Sequence, residues 1–132
     1  PKWFAAFIDC EAVYINGDGE TSRDFCFIED CIQANILAAT TENGDALNQI
    51  YNVAAGNRTN LNQLFELIRK SVVPNIPEAA RVEPAYRDFR AGDIRHSVAD
   101  ISKIKKFLNY EANFPIQESM QKLAEWYFRQ MQ

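Results

Sequence analysis

Apolar positions recur with helical spacing in several parts of the chain. The clearest stripe places apolar residues at i, i+3, i+4, i+7 and i+11, namely Leu61, Leu64, Phe65, Ile68 and Val72. This spacing predicts an amphipathic helix, with Thr59 or Asn60 as its N-cap and Pro74 as its stop. Further helices are predicted over 3–10, from Glu29 or Asp30 to Thr40, over 100–108 and over 116–131. In the 29–40 helix, Ile32, Ile36, Leu37 and Ala39 are expected to face the core.

Short runs of β-branched and aromatic residues predict strands between these helices. They cover 13–16, 23–28 and 49–54, and a short extended segment follows from Val82 toward Tyr86. The first two runs are separated by Gly17-Asp18-Gly19, which is strong turn chemistry. We therefore expect one α+β domain with three or four short strands and four or five helices, without a Rossmann fold.

Composition narrows the class of protein. The chain has 132 residues, 47% hydrophobic and 24% charged, which is an ordinary globular balance for one domain. Its net charge of −4 gives no electrostatic support for nucleic-acid binding, and no apolar run is long enough to cross a bilayer. Three cysteines without CxxC spacing are expected to be free, buried thiols. With a single histidine, we assign no metal site.

The stretch from Tyr86 to Ser97 holds the most concentrated polar chemistry. It contains three arginines, two aspartates and the only histidine, and Gly92 favours a loop or turn. Three guanidiniums on one loop can bind a doubly charged phosphate, because each presents a planar fork of donors. The residues thus indicate a site for a phosphorylated sugar or a nucleotide. The alternative, which the residues alone leave open, is a solvated turn with local Arg–Asp pairs.

Common catalytic motifs are absent from the sequence. No GxGxxG follows a predicted strand, there is no P-loop, and none of the five tyrosines has a lysine four residues later. His96 lies in charged loop sequence without a nucleophile elbow, and nothing near Cys26 in sequence would activate its thiol. We assign no catalytic residue.

Four segments in the same order resemble one family. They are residues 16–25 (NGDGETSRDF), 50–54 (IYNVA), 90–100 (RAGDIRHSVAD) and 113–120 (NFPIQESM). Together they resemble the extended short-chain dehydrogenase/reductases that act on nucleotide sugars, the NAD-dependent epimerase/dehydratase family. Within it the chain looks most similar to the bacterial UDP-N-acetylglucosamine 4-epimerases of surface-polysaccharide synthesis.

The resemblance has implications for domain organisation and cofactor. In this family an N-terminal Rossmann domain holds NAD and carries the catalytic Tyr-x-x-x-Lys, neither of which is present here. The chain opens on Pro1 without a methionine. We therefore expect residues 1–132 to be the C-terminal nucleotide-sugar-binding domain of a larger, cytoplasmic epimerase. By itself the domain should be inactive, should bind no cofactor and should be monomeric, whereas the full-length enzyme would dimerise through the absent domain.

The resemblance also implies roles for seven residues. Arg23 and Arg90 match the arginines that clamp the UDP diphosphate, and Asp93 matches the acceptor of ribose hydroxyls. Asn16 and Val53 fall where the family contacts uracil and its surroundings, with Phe25 adjacent. Ser97 falls where side-chain bulk limits the sugar, so a small residue would admit an N-acetyl group. The predicted substrate-binding residues are Asn16, Arg23, Phe25, Val53, Arg90, Asp93 and Ser97.

Alternatives remain at the level of residues and of function. In the alternative interpretation, Arg23 only pairs with Asp24 or Asp18, Val53 is a core residue, and Ser97 is a plain serine at a helix start. The enzyme could instead be a UDP-glucuronate decarboxylase or a nucleotide-sugar dehydratase. A different class is a non-catalytic interaction domain whose arginine loop binds an acidic protein. No nucleic-acid or membrane partner is expected.

Overall fold

The computed structural model describes residues 1–130 and has the predicted mixed α/β character. Its helices are α1 (Lys2–Ile8), α2 (Ile28–Thr40), α3 (Leu61–Val72), α4 (Ser102–Leu108) and α5 (Ile116–Gln130). Its strands are β1 (Val13–Asn16), β2 (Ser22–Arg23), β3 (Thr59–Asn60) and β4 (Pro84–Arg87), and short 3₁₀ turns cover Gly44–Ala46 and Pro77–Arg81. Five helices with short strands confirm the expected fold class.

The chain divides into two compact units. The first unit combines residues 1–22, 59–96 and the described part of the C-terminal helix from residue 117. The second unit combines residues 23–58 and 97–116. Each unit has its own buried cluster of apolar side chains, and each is described separately below.

In the first unit, β1 pairs in parallel with β4. The register runs from Val13 opposite Pro84 to Asn16 opposite Arg87. Val13 and Ile15 are buried while the alternate positions of β1 are exposed, as expected for a strand with one covered face. The core behind it consists of Phe4, Phe7, Phe65, Ile68, Val72 and their neighbours. Helix α3 contributes the predicted stripe to this core.

The start of α3 shows why the sequence predicted it well. The Asn60 side chain accepts the Gln63 N–H at 2.7 Å, and the Gln63 side chain accepts the Asn60 N–H at 3.0 Å. This reciprocal capping box satisfies two backbone donors that the first helical turn leaves unpaired. Together with the stop before Pro74, it confirms the predicted bounds of the helix.

In the second unit, α2 and α4 enclose a smaller core. Its buried members are Ala34, Ala46, Ala54, Ile101, Ile104, Leu108 and Tyr110. The Tyr110 hydroxyl is buried and donates to the Ala54 carbonyl at 2.8 Å. Asp30, also buried, accepts the Asn113 N–H through Oδ1 at 2.8 Å. Two polar side chains thus tie loop backbone to this core.

Two strand predictions were wrong in detail. Residues 49–54 form no strand, because none of the described segments pairs with them, and Ile50 is 88% exposed. Of the strand predicted at 23–28, only Arg23 lies in a strand, the two-residue β2, and Ile28 already begins α2. Apolar runs indicate extended backbone, but a strand also needs a neighbour with free hydrogen-bonding groups.

Several burial predictions also need correction. Ile32 and Ile36 of α2 are 51% and 56% exposed, and Ala39 is exposed as well, since the small side chain of Ala34 faces the core in their place. Cys10 is exposed and the other two cysteines are half-buried, so the thiols are not fully buried as predicted. The predicted last helix is confirmed through Gln130, and its proposed final residue, Met131, lies outside the described residues.

Candidate functional site

Three of the predicted binding residues line one open cavity of the first unit. Asn16, Arg90 and Asp93 surround a space of about 150 Å³. Its remaining lining residues are Thr21, Phe89 and Arg95. This volume is below that of pockets that enclose a whole small-molecule ligand, about 300–1,000 Å³. The cavity can therefore hold part of a nucleotide sugar.

The pairing of β1 with β4 brings the two sides of this cavity next to each other. Asn16 ends β1 with its side chain on the exposed face, and the next residue, Gly17, donates its N–H to the Arg87 carbonyl at 2.8 Å. This hydrogen bond holds the turn after β1 beside the loop after β4. The loop then reverses at Gly92, whose φ of +79° favours glycine, and Asp93 donates its N–H to the Arg90 carbonyl at 3.2 Å.

An ion pair joins the same two loops. Arg95 Nη2 lies 2.6 Å from Asp18 Oδ2, and the Ser22 N–H donates to the Arg95 carbonyl at 2.8 Å. The Arg95 guanidinium holds the pKa of the Asp18 carboxyl below its usual value, and this pairing raises the pKa of Arg95. The guanidinium also lies 5.4 Å from the centre of the Phe89 ring, within the range of a cation–π contact. Both loops are thereby tied to the cavity wall.

Arg87 and His96 of the arginine loop make other contacts and are not among the residues that line this cavity. The Arg87 guanidinium stacks over the Tyr14 ring at 3.3 Å. His96 Nδ1 lies 2.9 Å from the Ser22 hydroxyl. The solvated-turn alternative therefore fits part of the loop, because Arg95 does pair with an aspartate, whereas Arg90 and Asp93 line the cavity.

The chemistry of the cavity follows from its side chains. Guanidiniums donate to phosphate oxygens in a bidentate manner, and Arg90 and Arg95 bring two of them to one wall. A carboxylate accepts hydrogen bonds from hydroxyls, which Asp93 can do at the same wall. The Phe89 side chain is 61% exposed and offers an apolar ring face. An anionic group attached to a sugar or a base matches this combination.

The other four predicted residues belong to the second unit. Arg23 and Phe25 are half-buried, and Ser97 is exposed. Val53 is 37% exposed, so it is not the core residue of the alternative interpretation. Ser97 lies five residues before α4, which begins at Ser102, so it is not a helix cap either. Both remain available to a ligand.

A carboxylate not predicted as functional connects two loops of the second unit. Asp24 Oδ1 accepts the Ala55 N–H at 3.0 Å. Its Oδ2 accepts the Gly56 N–H at 3.0 Å and the Ala99 N–H at 3.3 Å. One half-buried side chain thus holds the loop after Val53 and the loop after Ser97.

A pair of thiols lies close to this region of the sequence. Cys26 Sγ and Cys31 Sγ are 3.6 Å apart. Burial, with the neighbouring Cys31, raises the pKa of the Cys26 thiol to about 12. A thiol with so high a pKa is a poor nucleophile at neutral pH, which agrees with leaving Cys26 without a catalytic role.

The described residues do not fit a dinucleotide such as NAD. The Gly17-Asp18-Gly19 turn leads into β2 rather than a helix. The N-terminus of α3 that meets the turn is engaged by the chain itself, since the Asn62 N–H donates to the Gly19 carbonyl at 3.1 Å. A Cβ at Gly17 would lie 2.4 Å from the Phe89 ring, and one at Gly19 would lie 1.9 Å from Asn62 Oδ1. These glycines make room for side chains of the chain itself rather than for a pyrophosphate.

The part of the chain that the structure describes has neither a candidate metal site nor a candidate membrane-spanning helix. Residues 1–130 contain no group of three or more side chains suited to hold a metal ion. No helix in that range is both long enough and apolar enough to cross a membrane.

Sequence reasoning missed three participants. Phe89 and Thr21 were not predicted to line the cavity, and Arg95 was not among the seven predicted substrate-binding residues. The aromatic residue between two arginines was a usable indication for Phe89. The roles of Arg95 and Thr21 depend on loops that meet only in the folded chain.

Comparison with known proteins places these residues in a family context. The family described as GDP-mannose 4,6 dehydratase matches residues 5–123. A UDP-glucuronate 4-epimerase of Thermodesulfobacterium geofontis is 30% identical over 115 residues, which is 86% of this chain and 32% of that protein. The chain spans about a third of the length of the curated relatives it matches, 32% or 33% in the first three.

Two solved structures share the fold over nearly the whole chain. A UDP-glucose 4-epimerase of Thermotoga maritima, solved with UDP-glucose, has a TM-score of 0.85 and 29% identity. A UDP-N-acetylglucosamine 4-epimerase of Methanobrevibacter ruminantium, solved with UDP-N-acetylmuramic acid, has a TM-score of 0.83 and 34% identity. Each match covers 99% of this chain and 39% of the other.

Proposed function

The chain belongs to the GDP-mannose 4,6-dehydratase family, and we propose that it is the UDP-sugar-binding portion of an NAD-dependent UDP-N-acetylhexosamine 4-epimerase. In this proposal, residues 1–132 form the C-terminal domain, and a preceding Rossmann domain binds NAD. The reaction interconverts UDP-N-acetylglucosamine and UDP-N-acetylgalactosamine in the cytoplasm, for surface-polysaccharide synthesis. NAD, when bound, supplies hydride exchange at the sugar.

The observation that carries the proposal is the meeting of Asn16, Arg90 and Asp93 at one cavity. These residues come from two distant motifs, and the β1–β4 pair brings the motifs together. Arg90 would bind a phosphate of the diphosphate, and Asp93 would accept hydrogen bonds from the ribose. Asn16 would contact the uracil through its amide.

The residues of the second unit are assigned by the same proposal. Arg23 would bind the diphosphate as a second guanidinium, while Phe25 and Val53 would contact the uracil and its surroundings. Ser97 would leave room for the N-acetyl group, because its side chain is small. The relative of known structure that is 34% identical is itself a UDP-N-acetylglucosamine 4-epimerase, which supports a hexosamine substrate.

The test is a titration of the ¹⁵N-labelled chain with UDP, followed by amide chemical shifts. Saturable shifts are expected at Asn16, Arg90 and Asp93, with stronger binding of UDP than of uridine because only UDP carries the diphosphate. Arg23→Ala and Arg90→Ala should each weaken UDP binding and leave uridine binding nearly unchanged. Absence of saturable shifts with several millimolar UDP contradicts the proposal.

The epimerase activity is tested with a chimera. The chain would be joined to the Rossmann portion of the Methanobrevibacter ruminantium enzyme, at the boundary that the structural match defines. The chimera is expected to interconvert the two UDP-N-acetylhexosamines, and the isolated chain is expected not to. A chimera that binds UDP but leaves both UDP-N-acetylhexosamines unchanged would contradict the substrate assigned to this chain.

A second class of function has a distinct outcome in the same experiments. If an acidic protein were the ligand of the arginine loop, neither UDP nor uridine would produce saturable shifts, and the chimera would be inactive.

The chain is expected to be monomeric in sedimentation, since the dimer of the whole enzyme is proposed to form through the Rossmann portion.

A further inference from the structure

Asp24 is surrounded in sequence and in space by residues of the proposed substrate site. Its chain neighbours are Arg23 and Phe25. Through its carboxylate it holds Ala55 and Gly56, which follow Val53, and it holds Ala99, which follows Ser97. All these residues belong to the second unit. A single side chain is thus linked to four residues with a proposed ligand role.

The geometry makes full use of a carboxylate. Both oxygens are engaged, and Oδ2 accepts from two different segments. An amide in the same place would have one acceptor oxygen and one NH₂ group, and the NH₂ group cannot accept an N–H. At least one backbone donor would then lose its partner, which costs more than an average hydrogen bond contributes. The site therefore depends on Asp rather than on its isostere Asn.

Side-chain contacts, rather than strand pairing, hold the loop around Val53. Ala54 is fixed by the Tyr110 hydroxyl, and the Asn52 side chain donates to the Asp100 carbonyl at 3.3 Å. The loop lacks strand hydrogen bonds, and Gly56 has a φ of +74°. Among these side-chain contacts, only the Asp24 carboxylate accepts backbone N–H groups from both the Val53 segment and the Ser97 segment.

We propose that Asp24 is a positioning residue that sets the distance between the Val53 segment, which would contact the uracil, and the Ser97 segment, which would border the sugar. This distance would then set how well the sugar of a UDP-sugar fits. This inference rests on the proposed function for its ligand. Its carboxylate touches neither sugar nor diphosphate in this role. It acts by fixing the backbone on which two recognition side chains are mounted, a role that supporting hydrogen bonds fulfil in many binding sites.

The test compares Asp24→Asn, Asp24→Glu and Asp100→Asn in the full chain. Asp100 is the matched control: it lies in the same unit, and its carboxylate interacts locally with Ser102, through the Ser102 N–H at 2.9 Å and the Ser102 hydroxyl. Two quantities are measured. One is amide hydrogen exchange at Ala55, Gly56 and Ala99, and the other is the ratio of the Kd for UDP to the Kd for UDP-N-acetylglucosamine.

Asp24→Asn is expected to accelerate exchange tenfold or more at amides of both segments, while amides of α4 keep their protection. It should reduce the affinity for UDP-N-acetylglucosamine at least fivefold more than that for UDP. Asp100→Asn should alter neither quantity. Acceleration in only one segment, or an unchanged ratio of the two affinities, would overturn the proposal.

Asp24→Glu provides the test if Asp24→Asn does not fold. It keeps both acceptor oxygens but moves them by one methylene, so protection should persist and the affinity ratio should shift. A wild-type ratio in this variant would refute the positioning role. If the wild-type chain binds neither ligand, the proposed function fails, and hydrogen exchange then decides separately whether Asp24 links the two segments.

Discussion

Arg95 and Asp18 form a 2.6 Å ion pair that links the loop after β4 to the turn after β1. Both side chains are about half exposed, so the pair itself contributes little to stability. Its consequence is local: it orients Arg95 at the wall of the cavity that Arg90 and Asp93 also line. Because Asp18 offsets the charge of Arg95, the pair determines how much positive charge in the cavity is available to bind a phosphate.

The first prediction concerns the titration of Asp18. The Arg95 guanidinium keeps the pKa of this carboxyl below its ordinary value of 3.8. A lowered folded-state pKa means that the stabilisation is complete above pH 3.8 and is lost as the pH falls through the lower folded pKa. Arg95→Gln should raise the pKa of Asp18 toward 3.8, as measured by the ¹³C shift of its carboxyl group.

Asp100 is the control for that titration, because its carboxyl pKa is also lowered, but by the Ser102 hydroxyl and N–H. Arg95→Gln should leave the pKa of Asp100 unchanged. Equal shifts of the two carboxyls would mean that the substitution acts through net charge and not through the pair.

The second prediction compares two arginines of one loop. Arg90 lines the cavity, whereas the Arg87 guanidinium is stacked on Tyr14. A hydrogen bond to a charged group contributes about 1.5–3 kcal/mol, so Arg90→Ala should weaken UDP binding by roughly 10- to 150-fold. Arg87→Ala should change the Kd less than threefold.

Calorimetric titration at two salt concentrations checks this comparison. The dependence of UDP affinity on salt should become smaller in Arg90→Ala, since one charge contact is lost. If Arg87→Ala weakened binding as strongly as Arg90→Ala, the diphosphate would be bound by the loop's net charge rather than by the cavity.

The features that were predictable from sequence are those encoded locally. Helix α3 carries its apolar stripe, its capping box and its stop within fifteen residues, and β1 alternates buried and exposed positions. Segment 49–54 has an equally apolar sequence but no strand, because pairing depends on a distant segment that no local pattern reports. The parallel pairing of β1 with β4 is of the same kind, since about seventy residues separate the partners.

The candidate site divides in the same way. Arg90, Asp93 and Asn16 were identified from motifs, and they meet at one cavity. Asp18 pairs with Arg95, which lies 77 positions later in the chain. Asp24 accepts N–H groups from two loops, at residues 31 to 75 positions later. Contacts over such separations follow from the folded backbone and have no signature in a single sequence.

The third prediction concerns the close approach of Phe89 to Gly17. Gly17 has a φ of +73°, and an added Cβ would lie 2.4 Å from the Phe89 ring. Gly17→Ala combines the cost of a left-handed residue, about 1–2 kcal/mol, with displacement of the ring. Urea denaturation should show a larger loss of stability than for Gly92→Ala, where φ is +79° but no atom lies within 4 Å of the added Cβ.

A double variant separates the two contributions to the third prediction. In a Phe89→Ala background, Gly17→Ala should cost only about as much as Gly92→Ala, because the steric conflict is gone. An unchanged cost would place the whole effect in the backbone and would show that the ring is free to move.

The fourth prediction concerns thiol reactivity. Burial and the neighbouring Cys31 raise the pKa of Cys26 to about 12, so almost none of it is thiolate at pH 8. Cys10 is exposed. Iodoacetamide at pH 8 should therefore alkylate Cys10 first, and mass spectrometry of peptides should find Cys26 modified at least tenfold more slowly.

A Cys10→Ser chain should show only the slow reaction, and Cys31→Ser should accelerate the reaction of Cys26, since it removes the neighbouring thiol that contributes to the raised pKa. Comparable rates for Cys10 and Cys26 in the native protein, with both slowing equally after Cys31→Ser, would contradict this account of the thiol pair.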